Sequence, residues 1–175
     1  VSRRLTWPDG TIYTITRSSA DTDGVLLEME WQLPAGGWSP QPHIHPHITE
    51  TYEVLDGELE LLINRSWRRL RPGDHASVEA GAVHTSRVGA APARVRNVHR
   101  PARDFEPYIR ALCATANARD LGDLNGPRAL LYIAMLVDEF PEHSRAARQA
   151  LHLATGPLAT VARSLGLRPL HAPTS

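Results

Sequence analysis

The sequence predicts a mainly β protein, a sandwich or barrel of short strands followed by a helical C-terminal part. Three observations carry this. Up to residue 102, short apolar or β-branched runs recur at regular spacing between turns of Gly, Pro, Asp and Asn. Between Val25 and Leu33, the residues Val25, Leu27, Met29, Trp31 and Leu33 alternate with Glu28, Glu30 and Gln32, as in a half-buried strand. After Pro101 the apolar period lengthens to that of helices. The 175 residues suffice to bury a real core in one domain. They divide into a barrel over 1–102, a helical extension over 103–167 and a tail over 168–175.

Trp7-Pro8-Asp9-Gly10 reads as a turn, because Pro and Gly supply its dihedrals. Thr11 to Arg17 is a β-branched strand, and Pro34 to Pro42 a Gly/Pro-rich loop. Thr51 to Leu55 and Glu58 to Ile63 form a hairpin around Asp56-Gly57, a strong turn signal. Asn64-Arg65 turns the chain into Ser66 to Leu70, and Arg71-Pro72-Gly73-Asp74 turns it again. His75 to Val78, Val83 to Val88 and Ala93 to Val98 complete the strands. Asp104 is placed to cap a helix with Phe105, Tyr108, Ile109, Leu112, Cys113 and Ala116 on one face. Pro127 opens a second helix at its first position, and Pro141 stops it. Leu131, Met135 and Leu136 widen its apolar face beyond one stripe, which predicts burial against the barrel or a partner subunit, and hence a homodimer. Ser144 is expected to cap a third helix ending near Gly156. Pro157 to Leu165 reads as a fourth, closed by Gly166. The tail from Arg168, with Pro169 and Pro173, reads as disordered.

Acidic and basic residues balance at 19 each, so no basic excess points to nucleic acid. Thr160 to Leu167 has the look of the first helix and turn of a helix-turn-helix, but Pro169 follows where a recognition helix is needed. Cys113 is the single cysteine, which excludes an internal disulfide and fits a reducing cytoplasm. No signal peptide is read in the first ten residues, and the apolar run Ala129 to Val137 is too short to span a bilayer. A cytoplasmic protein with no membrane partner is expected.

The chemistry lies in Gly37-x5-His43-x-His45-x4-Glu50-x6-Gly57 and, further on, Gly73-x10-His84. His43 and His45 are two apart, so on a strand both side chains share a face. Glu50, Tyr52 and Val54 share a face of the next strand. Three imidazoles and a carboxylate form a common ligand set for a divalent transition metal, and a barrel brings distant strands to one interior wall.

At these residues the chain resembles the cupin superfamily. The first cupin motif, Gly-x5-His-x-His-x3-4-Glu-x6-Gly, is matched throughout by Gly37, His43, His45, Glu50 and Gly57. The second, Gly-x5-Pro-x-Gly-x2-His-x3-Asn, is matched at Gly73, Gly81 and His84, with Glu79 in place of Pro and Val88 in place of Asn. The resemblance spans roughly residues 20 to 100. It implies a double-stranded β-helix of the jelly-roll type, with an α-helical C-terminal extension outside the family pattern. It further implies one divalent ion (iron, manganese, nickel, zinc or copper) held by His43, His45, Glu50 and His84. The activity it suggests is that of a small-molecule enzyme, a dioxygenase-like oxidoreductase ahead of an isomerase or cyclase. A non-catalytic small-molecule binding or sensing module is the alternative, with a storage or scaffold role behind it.

Tyr52 and Trp38 are candidate substrate contacts at the pocket mouth. His47 reads as a loop histidine. Asn97 and His99 share a strand face with Val95 and would reach a ligand if that face looks inward, but His99 is read as a satisfied structural histidine. Trp67, with Arg68 and Arg69, reads as an exposed hairpin, and Cys113 as a buried, inert thiol.

Overall fold

The structure is a computed structural model that describes residues 2–147 and 149–171. Two antiparallel sheets face one another. The first runs in the order β1 (Arg4–Thr6), β2 (Ile12–Arg17), β3 (Leu27–Leu33), β10 (Ala93–Arg100), β5 (Thr49–Asp56), β8 (His75–Val78). The second runs β11 (Arg145–Ala146), β4 (His43–Ile44), β9 (His84–Val88), β6 (Leu59–Ile63), β7 (Ser66–Leu70). Three helices, α1 (Phe105–Ala118), α2 (Pro127–Glu139) and α3 (Gln149–Ser164), follow β10, with β11 between α2 and α3. The fold is mainly β, a jelly-roll arrangement of two antiparallel sheets with a C-terminal helical part. No helix among the described residues is long and apolar enough to cross a membrane.

Alternation decides what each strand buries. Leu27, Met29, Trp31 and Leu33 of β3 point inward, as do Glu50, Tyr52 and Val54 of β5 and Leu59 and Leu61 of β6. Val25 precedes β3 and is exposed, so the alternating stretch is two residues shorter than its sequence suggests. The Asp56-Gly57 turn joins β5 to β6, but the two do not form the expected hairpin: β5 pairs with β10 and β8 in the first sheet and β6 with β7 and β9 in the second, so the turn carries the chain from one sheet to the other. Gly57 has φ +73°, and a Cβ there would lie 2.2 Å from the Pro92 carbonyl oxygen, so no larger residue fits.

One apolar core continues from the barrel into the extension, through Trp7, Trp31 and Val95 to Leu112 of α1 and Leu136 of α2. Each such leucine contributes about 1.5–3 kcal/mol by leaving water. The broad apolar face of α2 is used within the chain. Ala129, Tyr132 and Leu136 join this core, while Met135 packs on Ala159 and Ala162 of α3. That burial removes the observation behind the expected partner subunit.

Several local expectations differ from the structure. Arg4–Thr6 forms a strand before the first turn, pairing with Ile12–Thr14. Asp104 precedes α1 without a side-chain cap; its carboxylate accepts the Glu142 backbone N–H at 3.1 Å instead, tying α1 to the segment after α2. Ser144 caps no helix, because Arg145 and Ala146 pair with Ile44 and His43 on β4. The expected third and fourth helices are one, α3, which runs through Pro157. Close packing of Ala159 and Ala162 on Met135 holds the helix past that proline, whose own preference is to end it. The tail is strapped down as far as it is described: Leu170 N–H donates to Thr115 Oγ1 at 2.8 Å, and Arg119 donates to the Arg168 carbonyl at 3.2 Å. Residues 172–175 of the expected disordered tail lie outside the described residues.

Candidate metal centre

The four ligand candidates come from three strands and meet in the barrel interior. The β4–β9 register sets His43 directly opposite His84, with ring centroids 4.3 Å apart. His45 follows β4 and is 5.0 Å from both rings, centroid to centroid. Glu50 enters from β5 in the facing sheet. Its Oε2 lies 2.9 Å from His84 Nε2 and 3.3 Å from His45 Nε2. Glu50, His45 and His84 are almost fully buried, and His43 is half-buried.

Backbone carbonyls set the tautomers. His43 Nδ1–H donates to the Gln41 carbonyl at 2.9 Å, and His84 Nδ1–H to the Ala82 carbonyl at 3.1 Å. His45 Nδ1–H donates to the carbonyl of His143, 98 residues away in the chain. A carbonyl only accepts, so Nδ1 carries a proton in all three rings, and each ring when neutral presents Nε2 as a free lone pair, the form that binds a metal. Asn97 Nδ2 donates to Glu50 Oε1 at 2.7 Å and aims Oε2 at the imidazoles.

Electrostatics agree with a ligand set. Burial holds His43 well below the usual imidazole range, and the neighbouring rings of His84 and His45 add to this. Burial works to raise Glu50, but the surrounding imidazoles of His99, His45 and His84 outweigh it, and the carboxyl stays ionised well below its ordinary value. For His84, burial pulls downward and the adjacent Glu50 carboxylate wins, raising it. Glu50 Oε2 and His84 Nε2, although close, are not aligned as a hydrogen bond, and each is buried with no hydrogen-bond partner. Such orphaned atoms are costly in a native interior and mark a site made for something else. The donor chemistry suits a divalent transition ion.

His99 departs from expectation. The face of β10 that carries Val95, Asn97 and His99 looks inward, and His99 is fully buried with neither ring nitrogen hydrogen-bonded. It stacks on Phe105 of α1, with centroids 3.7 Å apart, and its Nε2 is 3.5 Å from Glu50 Oε1. It is thus an unsatisfied member of the cluster rather than a satisfied structural histidine. Donor atoms of His43, His45 and His84 form one compact group, and those of His45, Glu50 and His99 another.

Above the cluster lies a cavity of about 220 Å³, lined by Trp31, Tyr52, Trp38, Phe105, Tyr108 and Val137 among others. Tyr52 is buried, and burial together with Glu50 pushes its phenol upward, so it stays a neutral hydroxyl. Trp38 is held over the cavity because its backbone N–H donates to Asp9 at 2.8 Å and its ring stacks on Trp7. Arg87 and Arg145 reach the lining only from exposed positions.

The helical part supplies residues that nothing in the sequence singled out. His143 is fully buried against Tyr108, with centroids 3.6 Å apart. Its Nδ1–H donates to the Phe140 carbonyl, which leaves Nε2 to accept the Ser144 hydroxyl at 2.8 Å. A two-residue strand and a carbonyl carry no local pattern, so only the fold reveals them. His47 is exposed, Trp67 is exposed beneath the Arg87 guanidinium, and Cys113 is buried with its thiol pushed up to about 11.

Residues 29–99 match the family model described as Cupin domain. Quercetin 2,3-dioxygenase of Bacillus subtilis (strain 168) is 29% identical over 101 residues, which are 58% of this chain and 29% of that protein. The chain therefore spans less than a third of that relative. Among solved structures, KdgF from a Halomonas species aligns at 21% identity and TM-score 0.48, over 55% of this chain and 85% of its own. The DMSP lyase DddQ of Ruegeria pomeroyi DSS-3 aligns at 33% identity and TM-score 0.40, over 44% of this chain and 39% of its own.

Proposed function

Because this chain belongs to the cupin superfamily, with its cupin domain at residues 29–99, we propose that it is a metal-dependent enzyme of small molecules, a dioxygenase-like oxidoreductase. His43, His45, Glu50 and His84 would hold one divalent ion. The observation that carries this is the buried pair Glu50 Oε2 and His84 Nε2, 2.9 Å apart and without hydrogen-bond partners, next to a mostly apolar cavity whose lining includes His43, His45 and Glu50. A bound ion would supply Lewis acidity or redox chemistry at that point. The likeness to a quercetin dioxygenase supports the oxidoreductase class over an isomerase or cyclase.

The chain's own residues have separable tasks. Asn97 orients Glu50, and the three carbonyls keep the imidazoles in the ligating tautomer. Phe105, Tyr108 and Val137 exclude water from above. Tyr52 offers a neutral hydroxyl to a substrate oxygen, and Trp38 offers a flat apolar wall. A small apolar compound with one or two oxygens matches this lining, since specificity in such pockets rests on a few polar groups. A sugar phosphate lacks the convergent cations it would need.

The test is turnover of phenolic, enol or keto compounds under air by iron-, manganese-, nickel- and copper-loaded protein. Turnover that requires both the metal and Glu50 is expected. Tight metal-dependent binding without turnover, across all those metals, would instead assign a sensing module. Metal analysis of untagged protein showing no divalent ion would overturn both readings.

A further inference from the structure

We propose that His99 is a fifth protein donor to the same ion, an inference that rests on the metal-dependent reading above. Every other imidazole of the cluster has Nδ1 committed to a carbonyl. His99 has neither nitrogen committed, and its side chain is fully buried. An imidazole always carries at least one N–H or an available lone pair, so a dry site with no partner costs stability without return. A polar ring retained in such a place needs a partner that the protein does not supply.

Position identifies that partner. Donors that share one ion at about 2.0–2.2 Å lie roughly 3–4 Å from one another. Glu50 Oε2 to His84 Nε2 is 2.9 Å, His45 Nε2 to Glu50 Oε2 is 3.3 Å, and His99 Nε2 to Glu50 Oε1 is 3.5 Å. The donor atoms of His99 thus group with those of His45 and Glu50, and His45 is shared with the adjoining group of His43 and His84. Asn97 holds Glu50 Oε1, which leaves Oε2 as the oxygen without a hydrogen-bond partner. Phe105 stacks on the outer face of His99 and holds its edge toward the cluster. Five protein donors would leave fewer positions on the ion for a substrate than four would.

The experiment is a crystal structure of the full chain loaded with zinc, located by anomalous scattering. It is paired with zinc affinity by chelator competition for the parent, His99→Phe and His99→Gln. The phenylalanine variant keeps the stack on Phe105 and removes both nitrogens. A His99 nitrogen at bonding distance from zinc is expected, with an affinity loss of tenfold or more in both variants. If zinc sits on His43, His45, Glu50 and His84 while His99 stays out of reach or bonds an ordered water, the fifth-donor assignment is overturned and the metal-dependent reading stands. Unchanged affinity in both variants overturns it equally. If the parent binds no zinc, the underlying reading itself fails. The parent crystal structure decides the matter even if a variant does not fold.

Discussion

Glu50→Gln should make the metal-free protein more stable and the metal-loaded protein less stable. In the metal-free chain, Glu50 Oε2 is buried without a hydrogen bond and faces His84 Nε2 at 2.9 Å and His45 Nε2 at 3.3 Å. When both rings are neutral, lone pairs crowd one point. An amide nitrogen in place of Oε2 donates to those lone pairs, while the amide oxygen keeps its bond from Asn97. Satisfying one buried polar atom contributes about 1–3 kcal/mol. For a chain of 175 residues, each kcal/mol moves Tm by about 2–4 °C. Metal-free Glu50→Gln should thus melt about 2–12 °C above the parent. An ion at a thousandfold excess over its Kd adds about 4.1 kcal/mol to the parent, roughly 8–16 °C, and little to the variant. The order of melting then reverses.

The pH matters, and its sign follows from His84. Its folded pKa is raised above the ordinary 6.5 by Glu50, so a protonated His84 stabilises the parent fully below that unfolded value. This contribution fades as pH rises through the raised folded value. The stabilising effect of Glu50→Gln is therefore expected at a pH above the raised folded value and should shrink or invert at a pH below the ordinary 6.5, where the parent gains an ion pair. Metal stabilisation runs the other way, growing with pH as the imidazoles lose their protons. The assay is differential scanning calorimetry at both pH values, with chelator and with zinc or manganese. A metal-free variant that melts below the parent at the higher pH would refute the reasoning, because Glu50 would then be a structural ion-pair partner.

Gly57→Ala should cost about 1–2 kcal/mol from its positive φ alone, and more from the 2.2 Å approach of its Cβ to the Pro92 carbonyl, read as a lower urea midpoint with unchanged slope. A midpoint equal to the parent's would show that the turn relaxes freely. Deleting the residues after Pro101 should give an insoluble or markedly less stable barrel, since Leu112 and Leu136 share its core and Phe105 covers His99. A soluble truncation with the parent's Tm would contradict that. Leu112→Ala, at a fully buried core position beside the cavity, should cost about 2–5 kcal/mol in chemical denaturation. A loss under 1 kcal/mol would show that the cavity wall collapses onto the gap.

The parts of the fold legible in the sequence are those set by neighbours in the chain. Strand alternation in β3 and β5, the Asp-Gly turn and the prolines around α2 are local signals, and each element formed close to where it was read. The spacing of His43, His45 and Glu50 is also local, so the floor of the site was readable. What escaped depends on distant residues. The β4–β11 pair is two residues long on each side and has no period to detect. The orphaned state of His99 depends on what three other strands fail to offer it. The continuity of α3 through Pro157 is a case where packing on Met135 overrides a local stop.

The bond from His45 to the His143 carbonyl also sets an order of events. A growing chain exposes residue 45 long before residue 143. With residue 143 lying 98 positions after residue 45 and synthesis at about 5–20 residues per second, the gap is roughly 5–20 s. During that interval the strands have their ligand side chains, but His45 has no carbonyl to choose its tautomer and β4 lacks its outer neighbour. Capture of the proposed ion at full affinity would thereby wait until the segment around residue 143 has docked, and loading would report that this segment is in place.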